Sequence, residues 1–176
     1  TQTHAANAAA ADLGLYYQNK LNIDLPSEYA FGLQISNLGT KISYSDNMES
    51  SFLPANLRLG GRYTMDFDQF NNLSLMVDLN KLLVPTPPVY NEDGSIYAGM
   101  DPNVGILQGA IQSFYDAPNG LKEEMQEISL SVGAEYWYNK VLAVRAGYFY
   151  EAKNKGARQY LTVGAGLRYN VMGLDI

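Results

Sequence analysis

Few residues of this chain have the types and spacing that catalysis requires. The single histidine, His4, lies in an Ala-rich terminal stretch, and the chain has no cysteine. A Ser-His hydrolase is therefore disfavoured, and a cysteine nucleophile and a thiolate zinc site are excluded. Residues 91–94 look superficially like a calcium loop, but Val89 and Met100 occupy the first and last ligand positions, so the spacing favours a turn. We expect no enzymatic activity, no metal and no cofactor.

Alternating apolar residues over stretches of about ten positions provide the main structural signal. Leu130 and Val132, for example, alternate with Ser131 and Gly133. A tilted transmembrane β-strand needs about 9–11 residues, whereas no apolar run here is long enough for a transmembrane helix. A closed barrel is the other structure that satisfies its backbone hydrogen bonds in lipid. The predicted strands are residues 11–20, 29–37, 56–67, 72–81, 127–138, 141–151, 160–171 and 173 onward.

These strands predict an all-β fold, an antiparallel outer-membrane β-barrel with about eight strands in one domain, residues 1–176. The last strand stops a few residues after Gly173, before a barrel strand is complete, so we expect the chain to be a fragment of a longer barrel. The formal net charge of -6 does not favour binding to nucleic acid.

Side chains alternate between the two faces of a strand, so odd and even positions lie on opposite faces. This parity predicts two hairpin registers. Tyr138 and Leu142 share a face only if the turn between them holds an odd number of residues, which places Glu135 opposite Arg145. A turn at residues 172–173 would pair Asn170 with Asp175 and leave Arg168 diagonal to that carboxylate. We interpret Glu135 and Arg145 as a lumenal polar pair in a charge-compensated wall, with a tuned acid or an ion path as the alternative.

The long connection from residue 82 to 126 carries most of the information outside the strands. Short turns alternate with long loops, as periplasmic turns and external loops do, so this loop is predicted to be external. Its sequence predicts a small hairpin around Asp93-Gly94, then a short helix capped by Asp101 and stopped by Pro118. The helix either packs on the barrel rim or presents a docking surface for a partner. The partner-binding candidates are Pro85, Pro87, Pro88, Tyr90, Phe114, Tyr115 and Asp116.

Five ordered blocks carry a family resemblance. They are FGLQISNLGTKISY (31–44), PANLRLGGR (54–62), DLNKLLVPTPP (78–88), QSFYDAP (112–118) and SVGAEYWY (131–138). Together they resemble the PorV family, outer-membrane barrels of the Bacteroidetes type IX secretion system that are related to FadL. The resemblance covers nearly the whole chain from Asp12 and implies a FadL-like, fourteen-stranded barrel in the full protein, of which this chain is a C-terminal part with about eight strands.

The resemblance implies a non-enzymatic role in the bacterial outer membrane. Such barrels bind outer-membrane lipid and associate with the large SprA/Sov-type translocon. They receive cargo through its C-terminal signal domain and pass that cargo to attachment machinery containing a PorU-type sortase. Two other functions remain open on the same fold: a FadL-like channel for hydrophobic small molecules and a lipid A deacylase-type barrel. The lack of a Ser-His pair speaks against the deacylase.

Overall fold

The computed structural model describes residues 6–43 and 50–176, and its main feature is one antiparallel sheet of eight strands. The elements are β1 (Ala10–Leu21), β2 (Ser27–Gly39), β3 (Asn56–Asp66), β4 (Asn72–Leu82), β5 (Val89–Tyr90), β6 (Ile96–Ala98), α1 (Ile106–Gln112), α2 (Leu121–Gln126), β7 (Ile128–Tyr138), β8 (Leu142–Tyr150), β9 (Gln159–Tyr169) and β10 (Met172–Asp175). The strand order is β1-β2-β3-β4-β7-β8-β9-β10, and β5 and β6 form a separate hairpin. The predicted all-β antiparallel fold is confirmed.

Strand β8 places its apolar side chains outward and keeps the small or polar ones on the less exposed face. Within β8, Val144 is 51% exposed while its neighbour Ala143 is fully buried. The largest side chains that are fully buried among the described residues are polar: Gln112, Ser113 and Asp116. This distribution reverses that of a water-soluble protein and fits strands with one face in lipid.

The β7–β8 register is the one predicted from parity. Tyr138 pairs with Leu142 and Glu135 with Arg145, leaving residues 139–141 as the turn. Asn139 and Lys140 both have φ values of 53°, so the turn uses the left-handed region that Asn tolerates better than most residues.

The predicted turn at residues 172–173 is wrong. Met172 pairs with Tyr169 and Asp175 with Gly166, so the turn falls at residues 170–171. Asn170 has a φ of 53°, a conformation that suits Asn at this position. Parity could not distinguish the two positions, because a shift by two residues keeps every side chain on its face.

The predicted short helix begins later than expected and a second helix follows it. Gly105 precedes α1, and Asp101 instead accepts a hydrogen bond from the backbone N–H of Asn103 at 2.8 Å. Asp101 therefore closes a local turn rather than capping the helix. None of the helices in the described residues combines the length and apolar character that a membrane crossing demands.

The chain divides into two compact units. One comprises Thr1–Gly14, Gln34–Arg58 and Asn80–Ile128, and the other comprises Leu15–Leu33, Leu59–Leu79 and Ser129–Ile176. The first contains the β5–β6 hairpin and both helices, and the second contains β8, β9 and β10. The single-domain prediction stays a prediction.

Candidate functional site

A buried ion cluster stabilises the segment between β4 and β7, which we call the loop package (residues 81–127). The Lys81 ammonium donates to Glu124 at 3.1 Å and to Glu127 at 2.7 Å. The three side chains are only 6%, 7% and 12% exposed. Lys81 ends a strand whereas Glu124 belongs to α2, so this cluster ties the two ends of the package together.

Thr86 joins the Pro-rich stretch to the same cluster. Its hydroxyl donates to Glu127 at 2.6 Å, and its backbone N–H donates to Asp116 at 3.1 Å. Glu124 also accepts the Ala117 backbone N–H at 2.8 Å. The polar groups at the centre of the package therefore have partners on segments far apart in sequence, which makes the package a specified structure rather than a flexible loop.

Asp116 is the most constrained of the predicted site residues. It is 1% exposed, and its Oδ1 has no hydrogen-bond partner among the described residues. Burial raises the pKa of the Asp116 carboxyl, while hydrogen bonds from Thr86 and Gln112 oppose that shift. Gln112 reaches Asp116 at 3.4 Å and donates to the Asp101 carbonyl at 2.9 Å, so it links the carboxylate to the start of the helical region.

The seven predicted partner-binding residues separate into two groups. Pro85, Pro88 and Asp116 are buried, whereas Pro87, Tyr90, Phe114 and Tyr115 are exposed. The buried members stabilise the package from within. Gly109 contributes to this packing, because an added Cβ would lie 2.8 Å from the Phe52 ring and 3.1 Å from Pro85. Phe114 lies with its ring centroid 5.6 Å from the Lys81 ammonium, so this exposed aromatic ring contacts the ion cluster.

Sequence reasoning missed Lys81, Thr86, Glu124 and Glu127 as a group. The position of Lys81 was the one available signal. Lys81 has the same parity as Leu75, Val77 and Leu79, and so belongs to the predicted apolar face of β4. A lysine on a lipid-facing row requires burial or a counter-ion. The identity of its partners could not be read from that signal.

The predicted lumenal pair belongs to a larger network in the other unit. Glu135 forms an ion pair with Arg145 and accepts the Trp137 indole N–H at 2.8 Å. Asp175 bridges Arg145 at 2.7 Å and Arg168 at 2.8 Å, so the predicted diagonal contact of Arg168 is present. Two carboxylates balance two guanidinium groups, as a charge-compensated wall requires.

An apolar hollow of about 420 Å³ lies on β1, β2 and β3. Its lining combines Leu15, Phe31 and other residues of the predicted lipid-facing rows with Tyr16, Gly32 and Gly60 of the opposite parity. A second hollow of about 260 Å³ on β1–β4 is lined mostly by residues of that opposite, predicted lumenal parity, including Arg62 and Asp78. A channel for hydrophobic solutes needs an apolar pocket on the lumenal side. The two hollows therefore give no ground for rejecting the channel function.

The residues first considered for catalysis or metal binding have other surroundings. Asp93 accepts hydrogen bonds from the Ser95 hydroxyl and backbone N–H at 2.6 and 2.9 Å, which lower its pKa and stabilise the β5–β6 turn. Residues 6–43 and 50–176 contain no group of three or more His, Cys, Asp or Glu residues placed to hold a metal ion. His4 lies outside the described residues.

Comparison with known proteins gives one family match. The model of the family described as type IX secretion system protein PorV matches residues 1–89, just over half of the chain. No curated protein matches the chain.

Proposed function

We propose that this chain, which belongs to the PorV family of type IX secretion system proteins, binds partner proteins through the exposed aromatic side of its loop package. Membership makes the chain a component of the type IX secretion system, and PorV proteins are outer-membrane proteins. The family is a secretion family rather than an enzyme family. These statements describe the family's process and compartment, and the proposal concerns the contact surface.

The proposed partners are the SprA/Sov-type translocon and the C-terminal signal domains of secreted cargo. In this role the protein holds cargo that leaves the translocon and passes it to attachment machinery containing the PorU-type sortase. The chain itself transfers no chemical group in this scheme. It acts by binding, release and position in the membrane.

The observation that supports this role is the combination of a rigid polar interior with exposed aromatic residues. Thr86, Asp116 and the Lys81 cluster order the package before any partner arrives, so binding loses little conformational entropy. Tyr90, Phe114 and Tyr115 are exposed on this ordered support. Tyrosine and other aromatic residues are enriched at the energetic centres of protein interfaces.

A double substitution tests the proposal. Phe114→Ala with Tyr115→Ala should leave the barrel in the membrane and reduce recovery of cargo and translocon. It removes two aromatic anchors and the ring that covers Lys81, but keeps every donor and acceptor of the buried hydrogen bonds. Loss of even one such anchor costs about 2 kcal/mol or more in a typical interface, equivalent to a roughly 30-fold loss of affinity. Co-purification from outer membranes in mild detergent measures the effect, with heat-modifiable gel mobility of the barrel recorded on the same samples.

Tyr97→Ala provides a matched control, since Tyr97 is an exposed tyrosine of the same package outside the predicted set. An intact barrel with undiminished recovery of both partners in the double variant would remove this surface from consideration. A fall in barrel abundance before any change in recovery would assign the two aromatic residues a packing role instead.

A further inference from the structure

The two-residue turn between β9 and β10 does not use the residue that such turns favour. Asn170 has a φ of 53° there, and the second turn residue, Val171, is of a β-branched type that strands favour. Two-residue hairpin turns favour Asn, Asp and above all Gly. Gly173 lies two residues further on, and a turn at residues 172–173 would include it. Local turn chemistry therefore does not explain where the turn falls.

The observed register brings Asp175 within reach of two arginines. Asp175 lies opposite Gly166 and accepts hydrogen bonds from Arg145 at 2.7 Å and from Arg168 at 2.8 Å. Arg145 belongs to β8, so its side chain crosses β9 to reach Asp175 on β10. Gly166 permits this crossing. An added Cβ at Gly166 would lie 3.0 and 3.1 Å from the two terminal nitrogens of Arg145 and 2.6 Å from Asp175 Oδ1.

A second glycine makes room for the other arginine. Gly173 lies opposite Arg168, and an added Cβ at Gly173 would lie 3.0 to 3.2 Å from atoms of the Arg168 side chain. A turn at residues 172–173 would take Gly173 away from this position and place Asp175 opposite Asn170. That partner is four residues along the chain from the present one, a displacement of about 13 Å. Asp175 would then be out of reach of β8.

We propose that an ion network, rather than the turn, sets the register of β10 against β9. The network consists of two guanidinium groups, the two carboxylates that balance them and the two glycines that make room for them: Arg145, Arg168, Glu135, Asp175, Gly166 and Gly173. Glu135 holds Arg145 from β7, so the network relates β10 to strands two and three places away in the sheet.

This register has a consequence for the whole barrel. In a closed barrel the stagger between neighbouring strands is linked to their tilt and to the barrel diameter. A shift of β10 by four residues would keep every side chain on its face but would change that stagger. The network therefore helps to set the width of the lumen. It acts within the protein alone, so it does not depend on which partner the protein binds.

Cysteine crosslinking distinguishes the two registers, because the chain has no cysteine of its own. Leu167→Cys with Leu174→Cys reports the present register, in which these two residues lie opposite each other. Tyr169→Cys with Ile176→Cys reports the shifted register. Opposite residues lie about 5 Å apart, whereas each pair is displaced by about 13 Å in the other register. All four side chains are exposed and have the parity opposite to that of the network.

A short bifunctional methanethiosulfonate reagent is applied to the full-length protein in mild detergent, and crosslinks are measured on the species that heat-modifiable mobility shows to be folded. The unchanged background should crosslink the first pair and not the second. Asp175→Ala and Gly166→Ala should each move the ratio of the two crosslinks about tenfold toward the second pair, as expected for the loss of two partly exposed ion pairs. Arg145→Met should act in the same direction without adding volume.

Gly133→Ala is the matched control, because a Cβ at Gly133 would have only ordinary contacts, at 3.6 and 3.8 Å. An unchanged ratio in Asp175→Ala and Gly166→Ala would overturn the proposal, since the turn or the barrel as a whole would then set the register. Loss of the first crosslink without gain of the second would also overturn it, because β10 would be released rather than shifted. So would a shift in Gly133→Ala as large as that in Gly166→Ala.

Discussion

Lys81 joins the two ends of the loop package through its ion pairs with Glu124 and Glu127. It is a single ammonium with two carboxylate partners, nearly removed from water. Taking away one member of such a cluster leaves uncompensated buried charge, which costs more than the cluster contributes relative to an apolar replacement. Removing Lys81 alone should therefore cost more stability than replacing all three charged side chains together.

Lys81→Met is therefore expected to destabilise the loop package by about 3–5 kcal/mol. Limited proteolysis within the package measures the effect, while heat-modifiable mobility reports the barrel. Adding Glu124→Gln and Glu127→Gln to Lys81→Met should restore much of the protease resistance, because the leftover charges disappear. Lys122→Met, an exposed lysine on α2, is the control and should have little effect. Equal protease resistance in wild type and Lys81→Met would contradict the role assigned to the cluster.

Asp116 makes the package sensitive to pH. Its pKa is raised in the folded state, mainly by burial and further by the charges of Glu124 and Glu127. Folding therefore favours the protonated carboxyl. Its stabilising contribution is fully present below the unfolded pKa, about 3.9, and is lost as pH rises through the raised folded value.

We expect the protease resistance of the package to fall as pH rises through the window just above the ordinary carboxyl pKa, and Asp116→Asn to remove this step. Asp93→Asn is the control. The pKa of Asp93 is lowered by its hydrogen bonds to Ser95, so Asp93 contributes with the opposite sign and its loss should leave the step in place. A step that persists unchanged in Asp116→Asn would assign the pH dependence to another group.

At the scale of the elements, β9 offers the clearest test of which strand face meets lipid. Val163 is 78% exposed and has the outward parity, while its neighbour Thr162 has the inward parity and is also exposed. Ala143 would be a poor inward control, because it is fully buried and a larger side chain there would clash.

Val163→Arg should impair assembly by about 2–4 kcal/mol if the residue lies near the bilayer midplane, whereas Thr162→Arg places the charge in a polar lumen at much lower cost. Both variants are folded into phospholipid vesicles, and heat-modifiable gel mobility across a urea series compares their unfolding midpoints. Similar midpoints for both would show that the faces are assigned incorrectly.

At the scale of the whole molecule, the secretion and channel functions differ in what accompanies the protein. A secretion component should co-purify with a very large translocon subunit and with cargo carrying a C-terminal signal domain. A channel for hydrophobic solutes should instead carry bound fatty acid. The hollows on β1–β4 are lined by residues of both parities, so they do not separate the two functions and the bound molecules must.

We therefore expect purification in mild detergent to recover translocon and cargo, and lipid analysis to find no stoichiometric fatty acid in the lumen. Peptide mass spectrometry and extraction of bound lipid provide the two measurements on one preparation. Fatty acid in the absence of both protein partners would overturn the proposed function and favour the channel.

The chain's local patterns determined the strands and their faces. Alternation in one strand and the exclusion of charge from lipid are properties of neighbouring residues, so they are visible without the fold. The same parity predicted the Glu135 and Arg145 pairing across a three-residue turn, because the partners lie in adjacent strands. It could not place the turn between β9 and β10. A turn at residues 170–171 and one at residues 172–173 both keep every side chain on the same face of its strand.

Only the tertiary structure decided how the loop package is built. Lys81 meets carboxylates 43 and 46 positions away, and Thr86 meets Asp116 across 30 positions. No local pattern encodes such pairings, because they depend on how the chain returns to the end of β4. The structure likewise decided that Asp116 is buried while Phe114 and Tyr115 are exposed, a difference that depends on the packing around the adjoining turn and not on residue type alone.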